Sequence, residues 1–217
     1  MNVKRRRTFF CSNFFFARNS SLHQRRLLGR RFFFSISYRY HYEIHCMPSL
    51  PLTKRPIDIV LIIFFCVNLF FITYIVDLEQ LVIADANHFQ YPAWPPSKMV
   101  DLVHWYGNNF DPLLIARPAW WRATIWIDAL FFGPFYVFAI YAYAKGKNWI
   151  RFASIVWASV MLTNVSIILF EEVTGEHATP RLTRVLLSNA AWVIFPLIVM
   201  YRMWRSQYPF SSSQSGK

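Results

Sequence analysis

The sequence predicts an all-α integral membrane protein, a four-helix bundle with one short extra helix in its first long loop. Three observations carry that expectation. Hydrophobic residues make up 55% of the chain and aromatic residues 19%, and the mean hydropathy is positive, a composition of the membrane class. Four apolar stretches, 57–76, 123–144, 149–170 and 185–204, are each long enough to cross a hydrocarbon core of about 30 Å at about 1.5 Å per residue. The third observation is where acids enter them: Asp77 follows the first stretch directly, and Asp128 lies inside the second. With 217 residues, four spans make a single bundle.

The net charge of +12 suggests nucleic acid until its location is considered. Residues 1–46 hold ten Lys/Arg against the single acid Glu43, so the remaining residues carry only thirteen basic and ten acidic side chains. The body of the protein therefore has no basic face for phosphates, and no nucleic-acid partner is expected. Residues 1–46 are Arg-, Phe- and Ser-rich. That composition resembles an organelle transit peptide; equally, with Met47 ten residues before the first span, the segment reads as a dispensable or mis-assigned extension. The expected division is a disordered basic extension over 1–46, a four-span domain over 47–206 and a disordered tail over 207–217. Cys11, Cys46 and Cys66 form no disulfide framework.

The short loops set an orientation, because basic residues are retained in the cytoplasm. Lys54 and Arg55 precede the first span, Lys145, Lys147 and Arg151 flank the tight loop between spans two and three, and Arg202 and Arg205 end the fourth. Both termini are thus expected to be cytoplasmic. The opposite side carries two acid-rich loops, with Glu79, Asp85 and Asp101 in one and Glu171, Glu172 and Glu176 in the other. In the first of these, Ser97 is placed as the N-cap of a short helix running to about Tyr106, with Gly107-Asn108-Asn109 ending it.

Inside the membrane, polar residues fall into stripes at spacings of three and four. Phe70, Thr73 and Asp77 align in span one; Trp121, Thr124, Asp128, Phe131 and Phe135 align in span two; Trp157, Met161 and Asn164 in span three; Asn189, Trp192 and Pro196 in span four. An Asp at mid-span costs about 2.5 to 3.5 kcal/mol, whereas each Leu, Ile, Phe or Val returns about 0.3 to 0.6. Asp128 therefore cancels most of what its own span gains, and such residues usually face a cavity. Gly133-Pro134 should kink span two beside it and open room.

These stripes predict an aromatic-walled cavity with Asp77, Asp128, Thr73, Trp121, Thr124, Asn189 and Trp192 as its binding residues. A cationic or hydroxylated lipid-like small molecule suits it, together with membrane lipid. No cofactor and no metal site are expected, since His88, His104 and His177 are isolated in loops and no phosphate-binding or zinc pattern occurs.

The segments Asp77-Leu78-Glu79-Gln80, Phe110-Asp111-Pro112-Leu113-Leu114, Pro118-Ala119-Trp120 and Phe170-Glu171-Glu172 resemble the EXPERA-domain membrane proteins, most closely the sigma-2 receptor subfamily. The resemblance implies a bundle of the endoplasmic reticulum membrane, often a homodimer, that binds sterols and hydrophobic amines in lipid homeostasis. It implies that Asp77 pairs with a ligand amine, that Asp111 lies deep in the pocket, and that Asp128 stands where relatives usually carry Glu. Asn189-Ala190-Ala191-Trp192 resembles the emopamil-binding sterol isomerases. A second function is therefore a sterol double-bond isomerase with Asp111 and Asp128 as its acid and base. Those isomerases also use a His in the first span, and positions 69–76 hold none.

Overall fold

The computed structural model describes residues 49–211, which form a 3-10 turn (Leu52–Lys54) and then six longer helical segments. Four are long and apolar enough to cross a membrane: α1 (Pro56–Val82), α4 (Ala119–Lys145), α5 (Ile150–Thr174) and α6 (Leu182–Arg205). Between α1 and α4 run α2 (Ser97–Asn109) and the single turn α3 (Leu113–Ala116). The chain is a multi-pass membrane protein with an all-helical fold.

The first turn of α2 differs from expectation: Ser97 is its first helical residue, and Pro96 occupies the cap position with no side-chain capping bond. Consecutive prolines fix the approaching backbone as extended, which starts the helix without a hydroxyl cap. Gly107 does not end α2 but is buried within it. A Cβ there would meet Ile115 Cδ1 at 2.7 Å, so the glycine lets the α3 turn close onto α2.

Two of the spans contain wide turns. Hydrogen bonding shifts to the π pattern over Asn68–Asp77 in α1 and over Asp128–Phe132 in α4. Pro134 has no N–H to return to Leu130, so the ladder before it must be rearranged, and the chain opens a wide turn rather than a simple kink. Gly133 allows the two wide turns to touch, because a Cβ on it would lie 2.6 Å from Tyr74 Oη and 3.3 Å from Thr73 Cγ2.

The same change in helical pitch alters two predicted stripes. In a wider turn a residue stacks on its fourth or fifth neighbour rather than its third. Thr73 and Asp77 stay on the inner face, whereas Phe70 is 69% exposed; in α4, Phe132 is buried where Phe131 was expected.

Below the wide turns lies an aromatic core. Trp157 of α5 stacks on Phe135 of α4 with ring centroids 5.1 Å apart, and both Phe65 of α1 and Tyr136 of α4 pack edge-on against it. Such pairs add about 0.5 to 1.5 kcal/mol each beyond area burial.

The far end is tied by a buried ionic knot. Asp58 accepts hydrogen bonds from Arg55 Nη1 and Arg202 Nη2, each at 2.7 Å, while Arg55 Nη1 also donates to the Tyr143 carbonyl at 2.9 Å. Both guanidinium groups lie over the Phe210 ring, at 5.2 and 5.6 Å. Leu50 N–H donates to the Phe210 carbonyl at 2.9 Å, so the two ends of the described chain meet. The tail expected to be disordered from 207 is thus docked as far as Ser211, because Phe210 is an apolar and cation-binding anchor in an otherwise polar segment. Gly146, at φ +62°, supplies the left-handed cap that turns α4 into α5 at this same end. Residues 1–46 lie outside the described residues.

Candidate functional site

At the end of the bundle away from this knot, α1, α4, α5 and α6 splay around a cavity of about 410 Å³, with α2 across it. That volume lies within the usual range for small-molecule sites. Most of the wall is apolar: Phe71, Ile72 and Ile75 from α1, Leu102 and Val103 from α2, and Val165 and Ile168 from α5.

Seven of the eight predicted binding residues line this cavity: Asp77, Asp111, Trp121, Thr124, Asp128, Asn189 and Trp192. Thr73 does not. It is fully buried behind the wall and donates its hydroxyl to Asp128 Oδ1 at 2.5 Å. Its role is to hold Asp128 against the α1–α4 contact. Thr124 turns its hydroxyl back to the Trp121 carbonyl at 2.8 Å, and Asn189 donates to the Val185 carbonyl at 2.9 Å. Trp192 donates its indole N–H to Asn68 Oδ1 at 2.8 Å, which holds that ring against the cavity.

The carboxylates are arranged differently from the sequence expectation. As the acid and base of an isomerase, Asp111 and Asp128 would have to lie beside one another. Asp128 instead neighbours Asp77 across the α1–α4 contact, and Asp111 neighbours Glu172 in the last turn of α5. Asp77 is also buried, at 7% exposure. The wide turns explain its pairing with Asp128, since they bring the end of α1 against the middle of α4. Burial pushes the Asp111 carboxyl above its ordinary value, while hydrogen bonds from Glu172 and from the Leu114 and Leu113 N–H groups pull it back.

Three groups that the sequence reading did not assign to the site complete it. Gln80 accepts the Trp121 indole N–H at 2.5 Å and so orients that ring. Asn164 lines the wall from α5. Tyr106 reaches from α2 to Ser188 of α6, Oη to Oγ 2.8 Å, closing the mouth on that side. Of these, Gln80 was legible as the residue one helical turn after Asp77.

Above the cavity, Glu79 and Arg117 form a buried ion pair. Arg117 Nη2 donates to both Glu79 oxygens at 2.9 Å, Nη1 to the Ile83 carbonyl at 2.6 Å and Nε to the Leu114 carbonyl at 2.8 Å. These bonds hold Arg117 at φ +47°, a backbone region costly for a non-glycine residue. His104, expected to be isolated in a loop, belongs to this cluster: it lies on α2 with Nε2 2.8 Å from Glu79 Oε1. Among the described residues no group of three or more His, Cys, Asp or Glu side chains is placed to hold a metal ion.

Comparison with known proteins fits this geometry. The family model of EXPERA (EXPanded EBP superfamily) matches residues 98–203, the stretch from α2 through α6. Sigma intracellular receptor 2 of Homo sapiens is 30% identical over 173 residues, covering 73% of this chain and 93% of the receptor. The chain belongs to the EXPERA family. The Macaca fascicularis receptor of the same name is 29% identical over 174 residues, covering 74% of this chain and 94% of the relative. The Xenopus tropicalis one is 29% identical over 110 residues, with 50% and 64% covered. These matches put the chain on the sigma-2 receptor branch of the EXPERA proteins, and the EXPERA match spans the cavity's walls from α2, α4, α5 and α6.

Proposed function

We propose that this protein binds sterols and hydrophobic amines in the membrane of the endoplasmic reticulum and acts in sterol homeostasis or trafficking. The observation that carries this reading is one cavity, apolar over most of its wall, whose strongest polar groups are the carboxylates of Asp77, Asp111 and Asp128. An apolar ligand body fits the Phe71, Trp121 and Trp192 surfaces, and an amine finds either a carboxylate or an aromatic face. The name of its relatives, sigma intracellular receptor 2, supports a binding rather than a catalytic role. Isomerase chemistry with Asp111 and Asp128 as acid and base draws no support, because each faces a different acidic partner.

The reading is tested on the full chain purified in mild detergent. A radiolabelled hydrophobic amine should bind saturably and be displaced by cholesterol, and co-purified sterol should appear by mass spectrometry. Amine binding that rises linearly with concentration and ignores cholesterol would exclude it.

We further propose that both chain ends face the cytoplasm. The basic residues Arg55, Lys145, Arg151 and Arg202 gather at one end of the bundle, where Arg151 Nε also caps the Met203 carbonyl at 2.7 Å, and an excess of Lys/Arg is retained inside. A glycosylation sequon inserted within 85–95 should be modified in microsomes, and one at 146 should not. The reverse pattern would invert the orientation.

A further inference from the structure

Among the described residues, Asn164 of α5 is the neutral polar side chain on the cavity wall that has no hydrogen-bond partner. It is 8% exposed, and its amide stays open to the cavity rather than sealed by packed atoms. The other such groups are already engaged: the Trp121 and Trp192 indoles with Gln80 and Asn68, Tyr106 and Ser188 with each other, Thr124 and Asn189 with carbonyls of their own helices. The contrast is sharpest among the amides. Asn68, Gln80 and Asn189 each donate to the carbonyl four residues before them, at 2.8, 3.2 and 2.9 Å. On the exposed face of α5, Ser159, Thr163 and Ser166 bond back by the same step. Asn164 has the Val160 carbonyl at that spacing and leaves it unused. An Asn in a span commonly serves helix association by bonding a neighbouring helix, and this one does not.

Its depth follows from the register of α4 on α5. Trp157 stacks on Phe135 and lies 6.3 Å from Phe132, so Phe132 and Met161, one turn further toward the mouth, form the inner end of the cavity. One turn beyond them stand Asp128 on α4 and Asn164 on α5. The free amide therefore sits deep within the span, away from the mouth that Tyr106 and Ser188 close. A buried amide with unmet donors and acceptor carries a free-energy cost that a ligand can relieve. A hydroxyl is the single group that both accepts from Nδ2 and donates to Oδ1. A ketone only accepts, an ammonium only donates, and an alkane does neither.

We propose that Asn164 is a specificity-determining residue through which the cavity selects apolar molecules carrying a hydroxyl at their inner end. Nδ2 donates to the hydroxyl oxygen, and Oδ1 accepts the hydroxyl hydrogen. The inference rests on the binding reading above and deepens it: the carboxylates serve an amine, and Asn164 serves a neutral alcohol.

The test uses cholestanol, cholestanone and cholestane as competitors of one radiolabelled hydrophobic amine on the full chain in mild detergent. The wild-type protein should prefer the alcohol to the ketone by about fivefold and to the alkane by more than about tenfold, the sizes expected for one and for two net hydrogen bonds. Asn164→Leu, similar in volume but apolar, should bring the three sterols to near-equal affinity without lowering the Tm, because no other group loses a bond. If Asn164→Leu fails to fold, Asn164→Ala carries the same expectation of a lost ranking. Equal affinities in the wild type, as when cavity water satisfies the amide, would overturn the role of Asn164 and leave the binding reading standing. So would a ranking that survives either substitution, and a lowered Tm beside that intact ranking would mark the amide as structural. Failure of the amine to bind saturably, or of all three sterols to displace it, would instead remove the binding reading and this inference with it.

Discussion

Glu79→Gln should destabilise the protein by about 3 to 5 kcal/mol, the usual penalty for removing one partner of a buried ion pair. Arg117 is 5% exposed and its guanidinium already donates to the Leu114 and Ile83 carbonyls, so it cannot swing out to water. Without the Glu79 carboxylate its charge stays buried and uncompensated, and its left-handed backbone loses the two charged bonds among those that hold it. The consequence extends to the site. Glu79 lies between Leu78 and Gln80, the residue that orients Trp121, and Arg117 directly precedes the Pro118 entry to α4. Glu79→Leu combined with Arg117→Met should recover most of the loss, because exchanging both charges for apolar groups removes the desolvation cost along with the attraction. Thermal unfolding of the detergent-solubilised single and double variants checks this. A Glu79→Gln loss below about 1 kcal/mol, typical of exposed pairs, would show that Arg117 finds another partner.

How much of this was legible in the sequence differs by element. The four spans were readable because length and apolar content alone determine them, and the site acids were readable because an acid in an apolar stretch is costly and conspicuous. The pairing of those acids was not. Stripes drawn at spacings of three and four assume a uniform α-helix, and the wide turns at 68–77 and 128–132 break that assumption at the residues that matter. Phe70 and Phe131 left the inner face for this reason, and Asp128 met Asp77 instead of Asp111. Gly133-Pro134 was the one local signal of the irregularity. Glu79, Arg117, His104 and Glu172 read as ordinary loop charges, since a charged residue beyond a span is usually solvated. Only the folding of the first loop over the bundle, with α2 and α3 packed on the ends of α1 and α5, buries them.

Asp77→Asn should weaken cationic amphiphiles by roughly ten- to a hundredfold, the equivalent of about 1.5 to 3 kcal/mol for one charged hydrogen bond. Asp77 and Asp128 are neighbours, but they differ in what surrounds them. Asp128 is held by the Thr73 hydroxyl at 2.5 Å, which fixes one of its oxygens inside the α1–α4 contact. Asp77 lines the cavity from the last wide turn of α1, next to the Ile75 and Val76 wall, and it is the member free to meet a ligand. A bound amine brings a positive charge to the part of the wall that both carboxyls line. A neutral sterol supplies no charge and should lose far less affinity in the same variant. Asp128→Asn should also weaken amines, but with a loss of stability, because the Thr73 contact is disturbed as well. The measurement is competition by a neutral sterol and a matched sterol amine on one preparation of each variant. Equal losses for the two ligands in Asp77→Asn would mean that the change collapses the cavity wall rather than removing a counter-ion.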